Sequence, residues 1–254
     1  MLALHAAGAP RRRASLAVLA AGVFVAMQLG MLALSAQAQG SSTALVRISD
    51  LHRISRWAYP TYEAAVRASP SPRARTLGHL RFLTDDGQAE LYVVLAAEQP
   101  LSAAGWVRLE LPGRPNGRTG WVPGDALGAF HTVDGYLLVD QRDLRATLFR
   151  DGRAIFSAPV GTGKASTVTP AGHFYVMEKL ITLNAPVYGP FALGTSAYAP
   201  TLNEWPGGGV VGVHGTDEPQ LIPGRPSHGC IRMRNADIAR LWRIISVGTP
   251  IEIT

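Results

Sequence analysis

Two segments near the end of the chain decide its reading: Val213-His214-Gly215-Thr216 and, after a loop, Ser227-His228-Gly229-Cys230-Ile231-Arg232-Met233. Cys230 is the only cysteine in 254 residues. A cysteine nucleophile needs a base for its proton, donors for the oxyanion that forms on the substrate, and access. Each has a candidate here. His214 ends the apolar run Val210-Val211-Gly212-Val213, so a strand can aim its ring. The step to Cys230 contains Pro219, Pro223, Gly224 and Pro226, which fold the chain back. Gly229 lets a backbone come close to substrate, and the N–H groups of Gly229 and Cys230 can face the developing negative charge. No Asp or Asn is placed to orient His214, but the carbonyl of Gly215 can do so. Two other readings of these residues stay open. Cys230 can be a buried, inert thiol that packs as a small apolar group. Alternatively, His214, His228 and Cys230 can form a zinc site, with His173 as a further ligand.

Working outward, residues 133–254 read as mainly β. Residues 136–140 and 144–150 alternate apolar and polar side chains, and Asp151-Gly152 supplies a tight hairpin turn before a return strand over 154–160. Residues 172–179 predict another strand, with Phe174 and Val176 on one face and His173, Tyr175 and Met177 on the other. The stretch 182–208 is studded with Pro and Gly and carries Tyr188, Phe191, Tyr198 and Trp205. It reads as a long irregular loop, and such loops are commonly lids. Asn235 is expected to cap a helix whose Ile238, Leu241, Trp242 and Ile245 recur at helical spacing; Trp242 is thereby a core residue. Gly248 is expected to end that helix, and 251–253 to form a closing strand.

Residues 44–130 read as a small β-rich module. An apolar run at 91–95, two Gly-Trp-Val triplets at 105–107 and 120–122, and a turn at 113–120 rich in Gly, Pro and Asn suggest a small barrel. The triplets loosely resemble bacterial Src-homology-3-like modules. A generic β-spacer with buried tryptophans fits them equally. His52, His79 and His131 are expected at the surface or in packing.

The N-terminus has the pattern of an export signal: Arg11-Arg12-Arg13, an apolar run over 16–34, then Ala36-Gln37-Ala38 as a cleavage site. The expected layout is a signal peptide at 1–38 and a linker at 39–43. The alternative is an uncleaved membrane anchor, since the run approaches bilayer-spanning length. The formal net charge is +6, and the first 38 residues hold three Arg and no acid. Without them 21 basic face 18 acidic residues, a net of +3. That is too small to argue for nucleic acid. A lone cysteine in an exported chain cannot form an internal disulfide, so its presence needs another reason.

The His-Gly-Thr element, the loop and the Ser-His-Gly-Cys-Ile-Arg-Met run together resemble the signature of the L,D-transpeptidase (YkuD-like) family. Thr169-Pro170-Ala171-Gly172-His173-Phe174 is similar to that family's Thr-Pro-x-Gly-x-Phe segment. The matching features span 136–254. The resemblance implies a β-sandwich-like catalytic domain with a C-terminal helix and a cleft under a flap, for which 182–208 is the candidate. It implies peptidoglycan stem peptides as substrate, with Cys230 as nucleophile and His214 as base. A thioester is resolved by a neighbouring amine to give a 3→3 cross-link. No cofactor or metal is implied, because one amide is exchanged for another. His228, Gly229 and Cys230 match the family's oxyanion positions, Ser227 and Gly215 support them, and Arg232 stands where members carry Asn or Arg. Its guanidinium suits a substrate carboxylate. Tyr198 is a substrate-facing or packing aromatic of the flap, while Thr169 and Pro170 shape a turn. Carbapenem β-lactams are implied as covalent inhibitors. Two readings compete with cross-linking: an L,D-carboxypeptidase passing the thioester to water, and a wall-binding protein whose catalytic domain is silent.

Overall fold

The computed structural model describes residues 44–99, 102, 104–201 and 208–254. The export segment expected at 1–38, the linker at 39–43 and Trp205 lie outside the described residues. The chain is mainly β. Ala44–Thr254 form one compact unit built on two curled sheets, one of eight strands and one of ten.

The smaller sheet runs in the order Thr76–His79, Ala65–Arg67, Arg118–Pro123, Trp106–Leu111, Tyr92–Gln99, Ser55–Ala58 and His131–Val133, with Ala44–Arg47 also paired to Tyr92–Gln99. The two Gly-Trp-Val triplets face each other in it: Val107 pairs with Val122, and both are fully buried. Trp106 and Trp121 are half-buried, so the valines rather than the tryptophans anchor this core.

The larger sheet begins with the expected hairpin. Arg145–Arg150 and Arg153–Pro159 pair across Asp151 and Gly152, whose φ angles of 49° and 72° match a type I′ turn. Its centre is the strand Gly172–Ile181. The expected alternation holds, but both faces are buried. Phe174 and Val176 enter the main core of this half. Tyr175 and Met177 join Trp57, Leu91 and Val93 in a second cluster contributed by both sheets. The single α-helix among the described residues, Asn235–Ile244, buries Ile238 and Leu241 against the main core, with Trp242 packed partly against it.

Three expectations change. First, the stretch 182–208 is not one irregular loop. Phe191–Tyr198 is a strand between Gly172–Ile181 and Val210–His214. It escapes strand patterning because residues 192–197 are buried without alternation. A Cβ at Gly194 would lie 2.4 Å from Glu178 Oε1 and 2.6 Å from its Cγ, so any other residue there has to push that side chain aside. Second, Asn235 does not cap the helix: Arg234 holds the cap position, and Asn235 Oδ1 accepts the Thr216 N–H at 2.8 Å. Third, the helix stops at Ile244, before Gly248. Gly248 has φ 76° and lies under the Trp57 indole, where a Cβ would sit 2.0 Å from Cδ1.

Candidate active site

Cys230 and His214 are brought together by strand pairing. Val210–His214 lies parallel to the short strand Ile231–Arg232, in the register Val213 to Ile231 and His214 to Arg232. The Met233 N–H donates to the His214 carbonyl at 2.8 Å. Cys230, one residue before Ile231, therefore falls beside Gly212, two residues before His214 on the same strand. Both side chains line one pocket, together with Tyr188, Ala199, Val210 and His228. They also line a second opening, which leads past Leu193 and Gly194 to Glu178 and Asp86.

The His214 ring is fixed on two sides. Its Nδ1–H donates to the Gly215 carbonyl at 2.6 Å, the partner anticipated from the sequence. A carbonyl only accepts, so the proton is on Nδ1 and Nε2 is the basic nitrogen of the neutral ring. Tyr188 packs edge-on against the ring, with centroids 5.0 Å apart. Gly215 must be glycine, since a Cβ would come within 2.3 Å of Asn235 Oδ1. Asn235 thus holds the turn that orients the base.

The Cys230 loop is tied down by hydroxyls. Ser227 Oγ–H donates to the Cys230 carbonyl at 2.5 Å and accepts the Gly229 N–H at 3.1 Å. The expected use of the Gly229 amide as an oxyanion donor is corrected by this bond: its proton is engaged within the loop. Gly229 has φ 124°, in the left-handed region that favours glycine. Thr169 Oγ1 donates to the Gly229 carbonyl at 2.8 Å and accepts the Gly163 N–H at 2.9 Å. Thr169 thus joins the loop to Gly161–Gly163, the strand that pairs with both Gly224–Ser227 and Ile231–Arg232.

Burial of the pair favours the neutral forms. Burial lowers the His214 pKa to about 4, against the raising effect of the Gly215 hydrogen bond, and the Arg232 charge adds to the lowering. Burial pushes the Cys230 thiol up, opposed by a hydrogen bond from the Gly212 backbone and by Arg232. At neutral pH the resting pair is a thiol and a neutral imidazole.

The remaining expected residues fall into place unevenly. Arg232 lines the pocket, but its Nη1 donates to Glu218 Oε2 at 2.9 Å and its buried Nε has no partner among the described residues. His228 lines the pocket and lies 3.5 Å from Lys164 Nζ. Tyr198 is displaced from its expected role. It ends a sheet strand and lines a different pocket, with Arg81, Tyr92 and Arg118, while Arg114 sits 5.2 Å from its ring centroid. His173 faces another hollow, beside Leu45 and His52. Among the described residues no three His, Cys, Asp or Glu side chains gather as a metal site. In the sequence Tyr188 is only one aromatic of the stretch 182–208, and Glu218 and Lys164 carry no signal, because each owes its place to tertiary contact rather than to a local pattern.

The family model of the YkuD L,D-transpeptidase catalytic domain matches residues 134–253. The YkuD protein of Bacillus subtilis is 30% identical over 123 residues, covering 48% of this chain and 68% of the relative. The YqjB protein of the same organism is 32% identical over 129 residues, covering 48% and 72%. A solved catalytic domain of an Enterococcus faecium L,D-transpeptidase is 27% identical, with a TM-score of 0.36, over 48% of this chain and 97% of that one. With its histidine and cysteine elements inside the matched region, the chain belongs to the YkuD family of L,D-transpeptidase catalytic domains.

Proposed function

We propose that the protein is an exported L,D-transpeptidase that forms 3→3 cross-links in peptidoglycan through a thioester on Cys230. The observation that carries this reading is the pairing that sets Cys230 beside His214, with the Gly215 carbonyl holding Nδ1–H so that Nε2 is the free base. As Sγ attacks the carbonyl between an L-centre and the terminal D-alanine of a stem tetrapeptide, Nε2 takes the thiol proton. The carbonyl electron pair moves to oxygen, and the Cys230 N–H is the proposed donor to it. Collapse re-forms the carbonyl, breaks the C–N bond and passes the proton from Nε2 to departing D-alanine. An amine of a second stem then attacks the thioester and loses its proton by way of His214, and Sγ leaves as the thiol. One amide replaces another, so no energy source enters.

Two features support an amine rather than water as acceptor. The pair is reached by two openings, enough for donor and acceptor to approach separately. The second opening ends on Asp86 and on Glu178, whose carboxyl is raised to about 7 by burial and by Asp86, and this acidic pair complements an incoming amine. The same thiol chemistry makes carbapenem β-lactams expected acylating inhibitors. Incubating the purified protein with stem tetrapeptide and weighing the products tests the reading. A dimer lacking one D-alanine is expected. Tripeptide alone replaces the proposal with a carboxypeptidase, and unchanged tetrapeptide overturns both.

A further inference from the structure

The hairpin joining Trp106–Leu111 to Arg118–Pro123 lies outside the family-matched region, yet its tip grips the wall of the pocket that holds Cys230. Arg114 gives Nε and Nη2 to the Ala199 carbonyl at 3.1 and 2.9 Å, and Nη1 to the Gly208 carbonyl at 2.8 Å. Asn116 behaves as a neighbouring peptide group would: Nδ2 donates to the Tyr198 carbonyl at 2.8 Å, and Oδ1 accepts the Tyr198 N–H at 2.9 Å. These bonds fall where pairing between Phe191–Tyr198 and Val210–His214, interrupted after Gly194, resumes at Tyr198 and Val210. The Ala199 N–H donates to the Gly209 carbonyl at 2.8 Å, closing the same corner. Ala199, Gly209 and Val210 line the Cys230 pocket. The Ala199 methyl lies 3.5 Å from where a side chain on Gly229 would begin, so this corner rests directly on the nucleophile's loop.

We propose that Arg114 and Asn116 are positioning residues for the reaction at Cys230: the hairpin of the N-terminal half holds the wall against which the donor peptide lies. This rests on the proposed transpeptidase reading for its substrate, but not for its mechanical content. A planar guanidinium reaches two carbonyls at once, which a lysine ammonium does not reproduce. Displacement of a substrate-positioning wall by a fraction of an ångström costs rate without touching the chemistry.

The test uses the full chain with Arg114→Lys, Asn116→Asp and the double variant Arg114→Ala/Asn116→Ala. Two readouts are compared: KM and kcat for stem tetrapeptide, and the ratio of Cys230 labelling rates by phenylmaleimide and by iodoacetamide. The lone cysteine makes the labelling unambiguous. The double variant is expected to raise KM about tenfold, with a smaller change in kcat, and to shift the bulky-to-small labelling ratio several-fold. Asn116→Asp, which keeps the acceptor and loses the donor, falls between it and wild type. If the double variant fails to fold by circular dichroism, the two single variants carry the test. A folded variant whose KM and labelling ratio both stay within about twofold of wild type overturns the proposal, as does a lowered thermal midpoint with both readouts unmoved. If wild type turns over no tetrapeptide, the transpeptidase reading fails, and the labelling ratio alone decides the clamp.

Discussion

At the scale of single residues, the two reacting groups start from forms that resist ionisation. A buried imidazole with pKa near 4 is unprotonated over the whole physiological range, and a thiol pushed up by burial keeps its proton there. In the proposed reaction the proton therefore moves to Nε2 during attack rather than before it. Acylation is expected to hold steady as pH falls from 7 and to fail only toward the His214 pKa of about 4, which a pH series of acylation rates checks. His214→Gln is expected to slow acylation by about 10²–10⁴-fold, the usual reach of general base catalysis. His228→Ala, which removes a pocket wall but no base, is expected to cost far less. Equal losses in stopped-flow acylation would favour a shared role such as metal binding. Cys230 and His214 were legible in the sequence as a candidate pair because thiols and imidazoles are chemically distinctive and their neighbours are small. Gly215 was legible as the orienting partner by elimination of side-chain acceptors. The use of the Gly229 N–H within the loop was not, because it depends on where the Ser227 hydroxyl points.

At the scale of elements, the site depends on short strands whose pairing carries little energy of its own. Ile231–Arg232 has two residues and Gly161–Gly163 has three, and buried hydroxyls join them. Thr169→Val keeps the shape and removes the oxygen, leaving the Gly163 N–H and the Gly229 carbonyl buried without that partner. Each such group costs about 1–3 kcal/mol. A loss of roughly 2 kcal/mol or more in urea unfolding is expected, together with slower acylation because the Gly229 turn loosens. The threonine was read only as part of a turn, since its two partners lie six and sixty residues away. The strand Phe191–Tyr198 was hidden for a different reason. Burial on both faces removes the two-residue alternation, and Gly194 and Ala197 carry no β preference. Val210–His214, with three valines and a buried end, kept its signal.

At the scale of the whole molecule, the two sheets are joined by apolar and polar burial rather than strung on a linker. Trp57, Leu91 and Val93 pack with Tyr175 and Met177, and Thr84 Oγ1 donates to Glu178 Oε2 at 2.7 Å. Gly248→Ala is expected to destabilise the protein by about 1–3 kcal/mol in thermal or urea unfolding, since the new methyl meets the Trp57 ring and the backbone has positive φ. Stability is also expected to depend on pH in two opposed ways. An unfolded His214 takes a proton near 6.5 and the folded one only near 4, so its contribution is complete above 6.5 and lost as pH falls toward 4. Glu110, buried and raised to about 7, works the other way: its contribution is complete below 4.5 and lost as pH rises through 7. Thermal melts of His214→Gln and Glu110→Gln across pH 4–8 are expected to weaken the acid and the neutral limb respectively, the neutral limb only in part because burial also raises Glu178 to about 7. The sequence suggested a barrel-like module followed by a catalytic region. The grip of Arg114 and Asn116 on Tyr198, Ala199 and Gly208 had no signal there, because Gly, Pro, Arg and Asn in a hairpin tip read as solvent-facing turn.

The central claim is that Cys230 forms the covalent intermediate. Its most direct test is the intact mass of wild type and Cys230→Ala after incubation with a carbapenem, followed by peptide mapping. A single adduct is expected on the wild-type peptide that contains Cys230, and no mass change in the folded variant. An adduct of the same mass on Cys230→Ala would contradict it.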